Sequence, residues 1–142
     1  MGLWRIGLAA ANALTAWAIR SGIPRPPYTR RNALVAETIG RRSGRRRRVP
    51  LGYAEEDGTL VVVVEHGLRA DWVQNALAQS GQLRIHFRGR WQPARLRVVA
   101  RDPEACLRRM NRLHAALVRR HSTTPAVVEI TPDTRGSSAS SA

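Results

Sequence analysis

Lysine is missing from this chain, and every one of its 24 basic side chains is arginine. The net charge of +14 therefore carries a compositional bias towards arginine, and only clustered charge is informative. A single cysteine, Cys106, excludes an internal disulfide and a cysteine-rich zinc site, and a buried inert thiol is the expectation. Aromatic residues make up 5% with one phenylalanine, too few for a sheet that stacks unpaired bases. Neither an RNP-like motif nor a helix-turn-helix with a basic recognition helix is present, so nucleic acid is a weak expectation despite the charge. No run reaches the roughly 18 apolar residues that a membrane-spanning helix needs. The four histidines (His66, His86, His114, His121) lack metal-ligand spacing among themselves or with carboxylates, and no metal site is expected. Nucleophile-elbow and Walker patterns are missing too. The acids Glu55, Glu56 and Asp57 fall on a hairpin tip, where solvated turn residues are expected. Chemistry, if the chain performs any, must come from a bound cofactor.

What is present is one domain's worth of chain, 142 residues with an ordinary apolar fraction. Residues 1–27 read as an N-terminal apolar helix and proline-rich linker, 28–132 as the main domain, and 133–142 as a disordered Ser/Gly tail. Within 3–20 only Arg5, Asn12 and Arg20 are strongly polar and share one narrow stripe with Ala9 and Ala16. Such a helix docks on the domain or a partner subunit, or rests at a membrane surface where its tryptophans are favoured. A cleaved leader with Ala16-Trp17-Ala18 at its cut site is a further reading. Gly2 signals no myristoylation, because position 6 is isoleucine.

From Ala33 the periodicity becomes that of strands. Strands are predicted over Ala33–Ile39, Arg46–Ala54, Leu60–Val64, Gln82–Phe87, Trp91–Val99 and Pro125–Thr131. Asp57-Gly58 marks a hairpin turn, and Arg88-Gly89-Arg90 marks another. Pro93 predicts a sheet edge or a bulge. A helix is predicted from about Ala70 to Ser80, stopped by Gly81. Asp102-Pro103-Glu104 opens another, with an N-cap, proline at the first position and acid in the first turn. The fold class is mainly β with helices (α+β). Six mostly consecutive strands close most simply as an antiparallel barrel with helices at its ends.

The stretch from Glu37 to Tyr53 carries the clearest functional signal. Gly40 and Gly44 bracket a turn in which successive N–H groups can point at one oxyanion, Ser43 adds a hydroxyl, and six arginines lie between Arg41 and Arg48. Arginine forks match phosphate and carboxylate bidentately. Once extended, the chain places Arg47, Val49, Leu51 and Tyr53 on one face and Arg46, Arg48, Pro50 and Gly52 on the other. One face thus grades from cationic to apolar, which suits a ligand with an anionic tail and a flat aromatic head. A solvated basic edge that discourages strand pairing is the competing reading.

The segment Thr38-Ile-Gly-Arg-Arg-Ser-Gly-Arg-Arg-Arg-Arg-Val-Pro-Leu51 resembles the T-x-G-R-[KR]-[ST]-G-x-x-R-x-x-P-L signature of the deazaflavin (coenzyme F420)-dependent nitroreductase/quinone reductase family. The succeeding features are similar as well: a valine-rich strand, a Trp-x-x-Asn helix start at Trp72 and Asn75, a hairpin, a helix and a closing Pro-x-Val-Val strand. The resemblance covers about Ala33 to Thr131. It implies a split β-barrel of FMN-binding type that holds F420, with FMN as the alternative cofactor. Hydride would pass from reduced cofactor to a quinone, nitro compound or similar acceptor. Carried over by position, Arg41, Arg42, Ser43, Gly44 and Arg47 would hold the phosphate and glutamate tail. Pro50 and Leu51 would lie near the ring system, Val63, Val64, Glu65 and His66 would line it, and Trp72 and Asn75 would border it. No catalytic side chain is implied with certainty; His66 is the candidate proton donor. A flavin-, deazaflavin- or haem-binding protein without turnover is the alternative function. The resemblance further implies pairing as a homodimer, and the composition suits the cytoplasm, with contact at the inner face of the plasma membrane through residues 3–20. The chain departs from the family at Glu65-His66, where small or basic residues are common, and in Arg119–Thr124, which lacks acceptor-lining tyrosines.

Overall fold

The computed structural model describes residues 14, 15, 17, 20, 33–64, 67–110, 112, 115, 116 and 124–133. The linker, most of the N-terminal segment, Glu65, His66, His114, His121 and the tail beyond residue 133 lie outside the described residues. Leu14, Thr15, Trp17 and Arg20 are helical as expected; Thr15 is buried, while Leu14 and Trp17 are half-exposed. No helix among the described residues is long and apolar enough to cross a membrane.

Strands β1 (Ala33–Ile39), β2 (Arg46–Gly52), β3 (Ala54–Glu56), β4 (Thr59–Val64), β5 (Gln82–Phe87), β6 (Arg90–Val99) and β7 (Ala126–Pro132) form one antiparallel sheet. Their order is β2-β1-β5-β6-β7-β4-β3. Consecutive strands β2 and β3 thus sit at opposite edges, with only Tyr53 between them. The covalent chain closes the barrel across a seam that the hydrogen-bond ladder leaves open, which is what makes it a split barrel. The sequence predicts one strand over Arg46–Ala54. It divides because its two ends pair with different strands, β2 with β1 and β3 with β4, while Tyr53 between them stays inward and its ring meets Phe87 edge-on at 5.4 Å. Burial, and secondarily the Glu55 carboxylate, push the Tyr53 phenol above its ordinary pKa.

Alternation assigns the two sheet faces. Leu34, Ala36, Leu51, Leu60, Val62, Ile85, Leu96 and Ile130 fill the barrel interior. Helix α1 (Asp71–Ala78) covers one opening with Val73 and Ala76. Gly81 N–H closes back on the Ala76 carbonyl at 2.8 Å, just past the helix end. Strand β4 is apolar on both faces because its other side packs under helix α2 (Pro103–Leu107), where Val61, Val63 and Val127 meet Cys106, Leu107 and Met110. Asp102 caps α2, accepting from Glu104 N–H at 3.1 Å.

Two local expectations change. Pro93 lies on β6, an interior strand, and not on an edge. Its carbonyl accepts from Asp133 N–H (2.9 Å) on the β7 side. The missing N–H faces that same side, one residue beyond the last β6–β7 pair, Ala94 with Pro132, so only the terminal bond that would reciprocate Asp133 N–H is forgone. The hairpin acids are not merely solvated. Glu55 receives Arg88 at 2.8 and 2.9 Å, and Glu56 receives Arg101 and Arg109.

Cys106 is 2% exposed, and burial pushes its thiol above the ordinary range. The reactive thiolate is therefore scarce at neutral pH and out of reach. A disulfide reagent at pH 7.5 should modify the native protein at least about tenfold more slowly than the unfolded chain. Equal rates would place Cys106 outside the core.

Candidate functional site

Strand β1 ends at Ile39, and β2 begins at its register partner, Arg46. The chain between them closes a tight loop: Gly44 N–H donates to the Gly40 carbonyl (2.8 Å), and Gly40 N–H to the Arg45 carbonyl (2.7 Å). Gly44 sits at φ +69, the left-handed region that glycine enters without a side-chain penalty. A Cβ on Gly40 would meet Ser43 Oγ at 2.5 Å, because that hydroxyl folds inward to accept Arg45 N–H (3.2 Å). Four N–H groups between Gly40 and Arg45 are thereby bonded within the protein, including Arg41 N–H to Asn75 Oδ1 (3.1 Å). Only the Arg42 and Ser43 N–H groups have no acceptor among the described residues, so the expected nest narrows to these two.

Helix α1 holds the turn in place. Asn75 is buried; its Oδ1 also accepts from Arg41 Nη1 (2.9 Å), and its Nδ2 donates to Thr38 Oγ1 (3.3 Å). Arg41 Nη2 reaches Asp71 Oδ1 at 3.2 Å. Arg41 and Asn75 thus bind each other and set the position of the turn, with their polar atoms committed to the protein. Asp71 is largely exposed, so its pair with Arg41 adds little stability beyond orientation.

The six arginines divide in a way that spacing does not reveal. Arg41 is tied to α1. Arg48 Nε donates to Glu37 Oε2 (2.8 Å), and Arg84 Nη1 donates to Glu37 Oε1 (3.1 Å). The Glu37 side chain is 3% exposed, and both guanidinium groups lie over the Trp91 ring, 4.9 and 5.2 Å from its centroid. His86 meets the same ring edge-on at 5.3 Å. Arg48 is therefore part of a buried-carboxylate cluster, where the sequence allowed a solvated edge. Arg42, Arg45, Arg46 and Arg47 remain exposed, with no carboxylate partner among the described residues.

The expected gradient along β2 is present. Arg47 is exposed, Val49 half-buried, and Leu51 and Tyr53 lie in the barrel core. Pro50 faces the other way, opposite Val35. Val64 points inward and Val63 outward under α2, so these two side chains line different faces. Trp72 is half-buried against the barrel core at the start of α1. Glu65 and His66 lie outside the described residues. The cluster of Glu37, Arg84 and Trp91 was not singled out from sequence. Its signal is an acid alternating with apolar residues on β1, legible only once register places arginines on both sides. No group of metal-binding side chains occurs among the described residues.

A split antiparallel barrel with an arginine-rich turn at the end of one strand pair defines the structural class of this protein. Within that class the chain belongs to the F420H(2)-dependent quinone reductase family, which it matches over residues 22–131. No curated relative matches it. Among solved structures it is similar to an F420-H2 dependent reductase (FDR-A), at 21% identity and TM-score 0.50 over 72% of this chain and 95% of that one. A protein solved as a domain-swapped dimer is 18% identical, with TM-score 0.53 over 89% and 99%. The haem storage protein HutZ from Vibrio cholerae is 14% identical, with TM-score 0.53 over 86% and 90%. These likenesses concern the fold; membership of the family makes the chain an F420H2-dependent oxidoreductase by class.

Proposed function

We propose that this protein binds F420 through the Gly40–Gly44 turn and directs hydride from the reduced cofactor to a quinone. The observation that carries this reading is the set of arginines without a carboxylate partner, beside two N–H groups without an acceptor, among the described residues, at the charged end of a face that becomes apolar within four residues. Arg42, Arg47 and the Arg42 and Ser43 N–H groups would hold the phosphate and the start of the glutamate tail. Val64, Leu51 and Trp72 border the apolar region that the ring would face. Reduced F420, when bound, supplies the hydride; the chain's own part is to bind, orient and shield. Arg41 and Asn75 contribute by fixing the turn against α1. His66, two residues after Val64 in the sequence, is the candidate for delivering a proton to the acceptor. A nitro compound is the alternative acceptor, and pairing as a homodimer belongs to the same proposal, supported by the domain-swapped dimer among similar folds.

The test is a titration of the protein with oxidised F420 and with FMN, followed by cofactor fluorescence, then reoxidation of reduced F420 by menadione. Saturable F420 binding with catalysed reoxidation is expected, and FMN should bind at least about tenfold more weakly. Failure to bind F420 would sink the proposal. Binding without reoxidation by quinone or nitro acceptors would make this a cofactor-holding protein.

A further inference from the structure

Asn75 stands where the two halves of the proposed site meet. Its buried amide grips the arginine turn through Oδ1, which accepts from Arg41 N–H (3.1 Å) and Arg41 Nη1 (2.9 Å). It grips β1 through Nδ2, which donates to Thr38 Oγ1 (3.3 Å). Arg41 leads directly into Arg42 and Ser43, and Thr38 is the register partner of Arg47. Each hydrogen bond of Asn75 therefore ends beside a residue of the tail clamp. The amide serves only one way round. Turned over, its NH2 would face two donors of Arg41, so the network fixes its orientation.

The same helix carries Trp72, three residues before Asn75 and half-buried against the barrel core, where the ring would lie. Helix α1 is a stiff support for both. Val73 and Ala76 are fully enclosed beneath it. Its end is pinned to β6: Gly81 N–H donates to the Ala76 carbonyl (2.8 Å), and Leu96 N–H donates to the Gly81 carbonyl (2.7 Å). Its start has no side-chain cap, since Ala70 stands at the N-cap position. There Gln74 Nε2 donates to the Leu68 carbonyl (2.6 Å), and Arg41 Nη2 donates to Asp71 Oδ1 (3.2 Å). The turn thus reaches α1 through one amide and one exposed ion pair, while α1 itself is seated on the core. The amide is the stronger tie, because water screens the ion pair.

We infer that Asn75 is a positioning residue that joins the tail clamp and the ring wall into one rigid body, so that anion binding at the turn sets how the ring lies against Trp72. The inference rests on the F420 reading above. Asn75 touches no reacting atom; it acts through Arg41 and Thr38. Binding energy gained far from the reacting centre raises the rate only if a rigid link carries it there. A link that gives way turns the same contacts into plain affinity.

The experiment is a cycle that removes the tail from the cofactor and the amide from the protein, separately and together. Reduced F420 is compared with the reduced deazaflavin riboside, which lacks phosphate and glutamates, in the native protein and in Asn75→Leu, which keeps the side-chain volume. With menadione as acceptor, native kcat should be about tenfold higher for F420 than for the riboside. Asn75→Leu should bring that ratio to within about twofold. Asn75→Asp keeps an acceptor for Arg41 and should restore the native ratio. Amide exchange in the free protein is read independently of turnover. Arg41 N–H should be protected, and Asn75→Leu should speed its exchange at least about tenfold, with Arg42 and Ser43 fast in both proteins. A native ratio near unity, a ratio unchanged in Asn75→Leu, or Arg41 exchange no faster there overturns the link and leaves the cofactor reading intact. Should Asn75→Leu not fold, Thr38→Val decides, because it removes only the acceptor of Nδ2. It must lower the ratio at least about threefold, and a smaller change overturns the link. Failure of both cofactors to bind overturns the cofactor reading itself.

Discussion

Replacing Arg42 and Arg47 together by alanine is expected to raise the F420 dissociation constant about a hundredfold. Each guanidinium would lose one or two charge-assisted contacts to phosphate or carboxylate, worth about 1.5–3 kcal/mol when shielded. Both side chains are exposed, so screening brings each to about 1.4 kcal/mol, or tenfold. The melting temperature should scarcely move, because neither side chain carries an ion pair within the protein among the described residues. A contrast with R41A sharpens the measurement. Arg41 is bonded to Asn75 and Asp71 and holds the turn, so its loss should lower both affinity and melting temperature. If R42A/R47A shifts the dissociation constant less than about threefold, the clamp is wrongly placed.

Glu37→Ala should destabilise the fold by about 2 kcal/mol, lowering the melting temperature by about 6–10 °C. The carboxylate is enclosed and bridges Arg48 and Arg84, and its removal leaves two like charges over one indole with nothing between them. A fully buried pair broken in this way costs about 3–5 kcal/mol. The two arginines are 37% and 48% exposed, so water recovers part of that loss. Glu37→Gln keeps hydrogen-bond acceptance without charge and should fall between the native protein and Glu37→Ala. Thermal unfolding followed by tryptophan fluorescence, which Trp91 reports, measures both. A shift below about 2 °C for Glu37→Ala would mean that the cluster is solvated.

The sequence by itself determined the elements and their faces. Alternation along Arg47, Val49, Leu51 and Tyr53 named the inward side of β2 before any partner was known, because side chains on an extended chain alternate strictly. Asp57-Gly58 fixed a two-residue turn between Glu56 and Thr59, since both positions take positive φ. The glycine-bracketed arginine motif located the candidate site. These are local properties, set by steric preference within a few residues.

Only the tertiary structure decided which charges are free. Arg41, Arg42, Arg47 and Arg48 are equivalent in the sequence, yet Asn75, 34 residues away, claims the first. Glu37 claims the last, together with Arg84, which lies 47 residues from it. Strand order likewise decided that Tyr53 closes a barrel between opposite sheet edges, dividing a strand that reads as continuous. Periodicity tells which way a side chain points; register and strand order, set by how whole faces bury against one another, tell what it meets there.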